Sequence, residues 1–392
     1  MTTKQPTKSR TLPMILIITF GRLAPNMGRR VLYPFIPAIS RLLGVSINDI
    51  QTVIALQSGT GLFSPLAAPL STRFGRKRVM LGALGIFIFG GVLGATIGGF
   101  WVVAVAFLLF GVSKMVYDPA FQAYLSDKVP YDKRARALGI TELGWAFALI
   151  IGAPLGGFLL ESAGLSAILW MMVAFAVVAI ILIALFLPSD TPTTAYNHQN
   201  RTRFRTLFKH PQAVSACVFI ILLLGANEMF FINYGAWMEA NFGLSLGSLG
   251  VVTIAIALAE IFGEGSVIAL ADKIGKKRMS LFGATLCIVC HIVLPLLSFS
   301  LPIALMGLFV FFLAFEMAIV SFLPILSEIL PTERALMMSA STSAGALGRM
   351  GGAWLGGILY VALGSNLQTL SIFTMVIGGI AVVVLWRMVH EG

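Results

Sequence analysis

The stretch Arg73-Phe-Gly-Arg-Lys-Arg78 recurs as Lys273-Ile-Gly-Lys-Lys-Arg278, two hundred residues further along the chain. A second stretch, Gly152-Ala-Pro-Leu-Gly-Gly-Phe-Leu159, recurs at the same offset as Gly352-Ala-Trp-Leu-Gly-Gly-Ile-Leu359. Similarity at one fixed offset is the sequence pattern of an internal duplication. The two matches therefore predict that the chain consists of two copies of one structural unit.

A third match pairs Leu125-Ser-Asp-Lys-Val-Pro130 with Leu326-Ser-Glu-Ile-Leu-Pro331, displaced by one further residue. Long apolar segments surround all of these matches. Of the 392 residues, 58% are hydrophobic and 11% are charged, and the mean hydropathy of +0.94 excludes a soluble protein of this length. A membrane-spanning helix needs about 20 apolar residues. The predicted spans are 12–38, 47–72, 79–98, 100–127, 135–161, 165–187, 211–239, 246–271, 280–298, 302–329, 335–361 and 366–387.

The predicted fold is an all-α membrane protein with twelve transmembrane helices in two six-helix bundles. Because an even number of helices separates the copies, both bundles have the same orientation, the parallel-repeat arrangement of many transporters. We expect an N-terminal bundle at residues 1–187, a polar cytoplasmic linker at 188–210 and a C-terminal bundle at 211–392.

The positive charge of the chain is distributed unevenly across the membrane. The formal net charge is +11, and the basic residues of the loops and tails fall on one side of the predicted topology, with Arg41 alone on the other. Basic loops remain in the cytoplasm. The charge therefore predicts a multi-pass plasma (inner) membrane protein with both termini cytoplasmic, and it does not indicate a nucleic-acid partner.

Ionisable side chains inside membrane helices are costly, at least about 2.5 kcal/mol each near the bilayer centre, so they must face protein or water. Away from their ends, the predicted spans contain eleven charged side chains: Arg22, Arg29, Arg30, Lys114, Asp118, Glu142, Glu228, Glu260, Glu264, Glu316 and Arg349. Such a set predicts a polar cavity between the helices. For any one residue, a structural ion pair is the alternative.

A polar stripe runs along the first helix, because Arg22, Asn26, Arg29 and Tyr33 fall on one face at helical spacing. The stripe is either the wall of a solute pathway or one side of a salt bridge. Counting the rise along each helix places Arg22 level with Asp118. We therefore expect Arg22 to pair mainly with Asp118, and Arg29 to contact the substrate.

Further residues are candidates for a charge-pair or substrate role. Lys114 is on the same helical face as Asp118, four residues away, and Glu142 and Arg349 are candidates for further charge pairs. Aromatic and amide side chains can stack on an organic solute or hydrogen-bond to it. The predicted substrate-binding residues are Arg22, Asn26, Arg29, Tyr33, Tyr117, Gln122, Trp145 and Asn227.

The C-terminal half contains four intramembrane carboxylates, Glu228, Glu260, Glu264 and Glu316, and one intramembrane cation, Arg349. Four carboxylates beside one cation cannot all stay charged in a low-dielectric interior at small cost. Glu260 and Glu264 are one helical turn apart, and Glu316 lies at a similar depth to Glu260. We expect proton coupling to reside in this group of four.

The chain resembles the major facilitator superfamily, in particular its twelve-helix drug or metabolite:proton antiporters. Leu70-Ser-Thr-Arg-Phe-Gly-Arg-Lys-Arg78 is similar to the family's loop signature, usually written G-x-L-a-D-R-x-G-R-R, although Ala68 and Thr72 replace its first Gly and its Asp. The second copy keeps Asp272. The run from Gly152 is similar to the helix 5 signature of the antiporters, with its proline one place later, at Pro154. The helix 4 signature has an arginine where this chain has Phe107.

The resemblance implies alternating access, with helices 3, 6, 9 and 12 facing lipid. It also implies gating roles for the loop and helix 5 signatures, whose matching residues here are Arg73, Gly75, Arg76, Asp272, Gly275 and Pro154. No phosphate loop of the form Gly-x-x-x-x-Gly-Lys-Ser/Thr is present, so an ion gradient is the expected energy source.

These features predict a secondary transporter, not an enzyme, that exports a small organic or drug-like solute against protons. Proton-coupled uptake or exchange of an organic anion or zwitterion is the alternative, and a non-transporting receptor is a remote one. The expected partners are the solute, protons and the lipid bilayer. We expect a monomer with no metal and no cofactor, and Cys287-x-x-Cys290-His291 is interpreted as helix packing.

Overall fold

The computed structural model describes residues 11–190, 207–331 and 333–390, in which every regular element is a helix. Eight of these helices are long and apolar enough to cross a membrane, and one of them, Ala137–Phe186, is two spans joined at Gly164, whose φ is +77°. Helices 1 and 2 are each broken into shorter pieces, and helix 11 is more polar than the eight. Together these segments confirm the predicted fold of twelve helices.

In the first half, helix 1 consists of Thr11–Gly21, Leu23–Arg30, a short 3-10 turn at Tyr33–Phe35, and Ile36–Leu43. Helix 2 consists of Ile47–Gly59, a 3-10 turn and Ser64–Phe74. Helices 3 and 4 are Arg76–Ile97 and Phe100–Lys128. Helices 5 and 6 form the continuous element Tyr131–Phe186, divided at residue 164.

The second half repeats this order. Helix 7 consists of Pro211–Phe231 and Tyr234–Phe242, and helix 8 of Leu246–Val252 and Ile254–Ile274. Helix 9 is Lys276–Val293, followed by the 3-10 turn Leu294–Leu297. Helices 10, 11 and 12 are Leu301–Ile329, Arg334–Ala362 and Leu367–Met388. Most of the predicted linker, residues 191–206, lies outside the described part of the chain.

The repeated basic loops form equivalent contacts in the two halves. Gly75 and Gly275 both have positive φ, +85° and +97°, which lets the chain reverse tightly between helices. Arg76 forms an ion pair with Asp127 at the end of helix 4, and Lys276 forms the matching pair with Glu328 at the end of helix 10, at 2.6 Å. The two matched motifs therefore join each loop to the end of the fourth helix in its own half.

The repeated glycine runs also have equivalent neighbours. Gly152 on helix 5 packs on Met27 and Val31 of helix 1, and Gly356 on helix 11 packs on Met229 of helix 7. The last glycine of each run, Gly157 or Gly357, contacts the second helix of the opposite half. The glycines thus permit close backbone approach both within and between the halves.

We call the membrane side of the repeated basic loops the basic side, and the opposite side the far side. On the far side the halves are in close contact. Gly235 of helix 7 lies against the Pro34 carbonyl of helix 1, and Gly250 of helix 8 lies against the helix 5 backbone at Ala153 and Pro154. On the basic side the halves separate around a cavity.

Candidate functional site

The main cavity lies between the two halves and has a volume of about 570 Å³. That volume is within the range of small-molecule sites, roughly 300 to 1,000 Å³. Its walls come from helices 1, 2, 4, 7, 10 and 11, mostly from the portions nearer the basic side. Its polar and charged lining includes Arg29, Gln57, Thr60, Ser64, Lys114, Asp118, Gln122, Ser339, Ser341, Thr342 and Arg349.

Two predicted substrate-binding residues, Arg29 and Gln122, line this cavity. The Arg29 guanidinium has one hydrogen bond among the described residues, a long one of 3.4 Å to the Ser58 hydroxyl. The Gln122 side chain is exposed. The sequence interpretation did not assign Thr60 to the site, although a hydroxyl inside a predicted span was a usable signal.

Lys114 and Asp118 form the predicted pair on helix 4, with the Lys114 ammonium 2.8 Å from an Asp118 carboxylate oxygen. The same ammonium donates to the Asn26 side-chain oxygen at 2.6 Å. The Asn26 amide donates in turn to the Gly144 carbonyl on helix 5 at 3.0 Å. Asn26 is fully buried, so it positions Lys114 and does not line the cavity.

The prediction that Asp118 is the main partner of Arg22 is wrong. The Arg22 guanidinium donates to both Glu142 carboxylate oxygens, at 2.8 and 3.2 Å, and to the Thr141 carbonyl at 2.7 Å. Its Nε atom lies 4.0 Å from the nearer Asp118 oxygen. Helical depth alone does not say which neighbouring helix a side chain faces, and Arg22 faces helix 5. It is buried outside the cavity lining.

Arg30 and Glu260 join helices 1 and 8 across the two halves. The Arg30 guanidinium forms two hydrogen bonds with the Glu260 carboxylate, one of them 2.8 Å long. Both side chains are less than 5% exposed. The guanidinium also stacks over Trp145, 4.3 Å from the ring centroid. Glu260, predicted as a proton site, is therefore one partner of a buried inter-half ion pair.

Tyr33 and Glu228 form a second connection between the halves, because the Tyr33 hydroxyl donates to the Glu228 carboxylate. The other Glu228 oxygen lies 3.5 Å from an Arg349 nitrogen. Tyr33 and Glu228 are each about 1% exposed and lie outside the cavity lining, whereas Arg349 lines it. Arg349 therefore connects the cavity to this inter-half contact.

Glu316 and Glu264 form no hydrogen bond or ion pair with any other described residue. Glu316 on helix 10 is 7% exposed, and Glu264 on helix 8 is half-buried. Glu316 lies within Coulomb range of both Glu264 and Glu260. Ile319, one helical turn further along the same face of helix 10, lines the cavity. Glu316 therefore lies one helical turn from the cavity lining, whereas Glu260 and Glu228 belong to the inter-half contacts.

The remaining predicted substrate-binding residues lie outside the cavity. Tyr117 is fully buried, with no hydrogen-bond partner for its hydroxyl in the described chain. The Trp145 ring lies close to two cations, with the Lys114 Nζ atom 5.1 Å and the Arg349 Cζ atom 5.9 Å from the ring centroid. Asn227 lines a separate small cavity beside His291. Aromatic and amide residues satisfy packing and ion-pair geometry as readily as ligand binding, which their identity alone does not reveal.

The predicted gating residues occupy the loops and the far-side contact. Arg73 is exposed and stacks on its neighbour Phe74, and Asp272 is exposed at the end of helix 8. Pro154 lies at the contact between helices 5 and 8. In the described residues, no group of three or more His, Cys, Asp or Glu side chains could hold a metal ion.

Comparison with known proteins gives consistent matches along the whole chain. The sequence profile of the Major Facilitator Superfamily matches residues 18–235 and residues 216–392. The chain is 24% identical over 333 residues to the uncharacterized MFS-type transporter YceJ of Bacillus subtilis (strain 168), covering 84% of this chain and 85% of that protein. It is also 24% identical over 353 residues to Multidrug resistance protein 2 of the same organism, covering 85% of each.

Among solved structures, a D-xylose-proton symporter superimposes with a TM-score of 0.81 at 16% identity, covering 97% of this chain and 98% of that one. Identity this low shows a shared fold. The two profile matches together cover both copies of the duplicated unit. The chain therefore belongs to the Major Facilitator Superfamily of membrane transporters.

Proposed function

We propose that this protein exports a small organic solute across the plasma membrane in exchange for protons, by alternating access. The observation that carries the proposal is a solute-sized cavity with a buried carboxyl group, Glu316, one helical turn from its lining and without a partner among the described residues. An unpaired charge is costly inside a membrane protein, so a carboxyl group in this position is suited to gaining and losing a proton.

The predicted topology and one relative support export as the proposed direction. If the basic side is the cytoplasmic side, as the distribution of basic loops predicts, the cavity opens toward the cytoplasm and loads solute from there. Multidrug resistance protein 2 is a relative over most of its length. Export of a drug-like or metabolic solute is the activity that these two observations favour.

The test uses purified protein in proteoliposomes that contain a trapped pH-sensitive dye. Addition of a transported compound should move protons, and an imposed pH gradient should drive compound movement. Glu316→Gln should abolish the response to the gradient while leaving exchange of labelled compound between the two sides intact. Glu333→Gln is the matched control, because it removes an exposed carboxylate at the start of helix 11, outside the cavity and outside the repeated loop contacts.

Compound movement that ignores the pH gradient, together with full activity of Glu316→Gln, would refute the proposal. The second candidate is proton-coupled uptake or exchange of an organic anion or zwitterion. The cationic side chains of the cavity favour its anionic form, and Asp118, the acidic residue among the described lining residues, is already paired with Lys114. In the same assay, uptake would appear as protons and compound moving in the same direction.

A further inference from the structure

We infer that Arg29 and Arg349 form a binding site for a single negative charge, so that the transported solute is an amphipathic organic monoanion such as a carboxylate. The inference deepens the proposed function and rests on it in taking the main cavity as the solute site. It does not depend on the direction of transport or on the coupling ion.

Arg29 comes from helix 1 and Arg349 from helix 11, and both guanidinium groups line the cavity. The two guanidinium groups are close enough to interact electrostatically with each other, and both also interact electrostatically with the Tyr33 hydroxyl. Two arginine residues that line one cavity from opposite halves can share one anionic group of a solute. Arginine suits this role because its planar donors match a carboxylate in paired hydrogen bonds.

The balance of charge around these two residues leaves one positive charge without a partner. Lys114 and Asp118 neutralise each other at 2.8 Å. Arg349 has one carboxylate neighbour, Glu228 at 3.5 Å, which also accepts a hydrogen bond from Tyr33. Arg29 has only the long Ser58 contact among the described residues. With Glu316 in its protonated form, two guanidinium groups and one carboxylate leave a single positive charge, which one monoanion would balance.

The rest of the cavity surface indicates which kind of molecule can carry the anionic group. Its apolar lining includes Met115, Ile220, Leu224, Ile319, Leu323 and Met338. These aliphatic and thioether side chains favour an apolar body of variable shape. A solute with one anionic group and an apolar or aromatic portion therefore fits both parts of the cavity.

The experiment compares three probes of one size that differ in charge: 2-naphthoate, 2-naphthamide and 2-naphthylmethylammonium. Binding to the purified protein in a neutral detergent is measured by thermal stability and by displacement of labelled 2-naphthoate. We expect 2-naphthoate to bind at least tenfold more tightly than the other two. Arg29→Gln and Arg349→Gln should each lower 2-naphthoate affinity about tenfold to a hundredfold, the range for losing a hydrogen bond to a charged partner.

Arg387→Gln is the matched control, since it removes an exposed guanidinium at the end of helix 12 and should leave 2-naphthoate affinity unchanged. Arg349→Lys retains the charge and should keep most of the anion preference, which separates loss of charge from loss of folding. Equal responses to the three probes, including no response, or a preference for the ammonium, would overturn the inference.

A lipid headgroup offers the same anionic chemistry as a free solute. Phosphatidylglycerol added to the neutral detergent is therefore tested as a competitor. Displacement of 2-naphthoate that is lost in Arg29→Gln assigns the site to a lipid anion, whereas failure to displace assigns it to a soluble one. Proton-driven transport of a cation or neutral compound, unchanged in Arg29→Gln, would refute the inference but not the proposed function. Arg29-dependent anion binding without proton coupling would support the inference and refute the proposed function.

Discussion

The substitution Glu260→Gln should shift the conformational equilibrium of the transporter away from the present conformation, in which the far side is closed. In the present structure the Glu260 carboxylate is the hydrogen-bonding partner of Arg30, and both side chains are less than 5% exposed. Removing one charge of such a buried pair leaves the other charge without compensation, at a cost of about 3 to 5 kcal/mol. Stacking on Trp145 and the remaining amide oxygen keep the expected cost at about 3 kcal/mol.

This cost falls on one conformation, because Arg30 and Glu260 belong to opposite halves. When the far side opens, the halves separate there and water can solvate Arg30. Most of the destabilisation therefore appears as a change in the equilibrium between the two conformations. A free-energy change of about 3 kcal/mol corresponds to about a 150-fold change in their ratio.

The assay places two spin labels on the far side, at Ala163→Cys and Ala240→Cys, after the native cysteines have been replaced. Both positions are exposed and lie in opposite halves. Pulsed electron resonance measures the distance between the labels. With Glu260 intact, the short distance of the closed far side should dominate. With Glu260→Gln, a longer distance should become the major population.

Two comparisons make the assay specific. Glu239→Gln removes the partner of Arg41 in an inter-half pair in which Arg41 is 60% exposed, so its effect should be under about 1 kcal/mol. The double variant Arg30→Gln with Glu260→Gln removes both charges of this pair and should partly restore the short distance. An unchanged distance distribution in Glu260→Gln, despite lower thermal stability, would show that the pair stabilises the fold without controlling the conformational equilibrium.

Three further substitutions test other contacts. Gly250→Ala places a methyl group against the Ala153 carbonyl, so the far side should close less completely. The distance between the two spin labels should therefore lengthen. An unchanged distance would contradict the packing described above. Asp190→Ala removes the carboxylate that accepts hydrogen bonds from the first two backbone N–H groups of helix 3, and it should cost about 1 to 2 kcal/mol in unfolding free energy. Gly75→Ala, at a φ of +85°, should lower the thermal midpoint, whereas the control Gly82→Ala in an exposed helical position should not.

The fold was predictable from sequence because membrane spans are encoded in local composition and the duplication supplies a check on it. The paired loop contacts show why the matches exist: Arg76 with Asp127 and Lys276 with Glu328 are the same interaction made twice. A motif needed for folding recurs in both halves. The intramembrane charges do not recur at matching positions, as expected of residues that serve the cavity between the halves.

The partners of individual charges were less predictable. Helix 1 is interrupted near Arg22 and again before the 3-10 turn at Tyr33–Phe35, so one continuous helical projection does not describe its faces. The predicted stripe therefore divides between different neighbours, with Arg22 facing helix 5 and Arg29 facing the cavity. Arg30, adjacent in sequence, faces helix 8. Only the arrangement of the helices determines which acid each arginine meets.

The inferred anion site and the proposed proton site are electrostatically linked, and this link bears on the direction of coupling. Arg349 lines the cavity and lies within Coulomb range of Glu316. An anion bound at Arg349 would offset the charge of that guanidinium, so anion binding and protonation of Glu316 should favour each other, and the effect is reciprocal. Symport requires the two ligands to bind together, so this link by itself favours the uptake alternative, whereas antiport requires the two ligands to exclude each other. If 2-naphthoate affinity rises as pH falls, and Glu316→Gln removes this dependence, the result supports proton-coupled uptake and not export. If affinity falls as pH falls, the solute and proton compete, and proton-driven export is the supported mechanism.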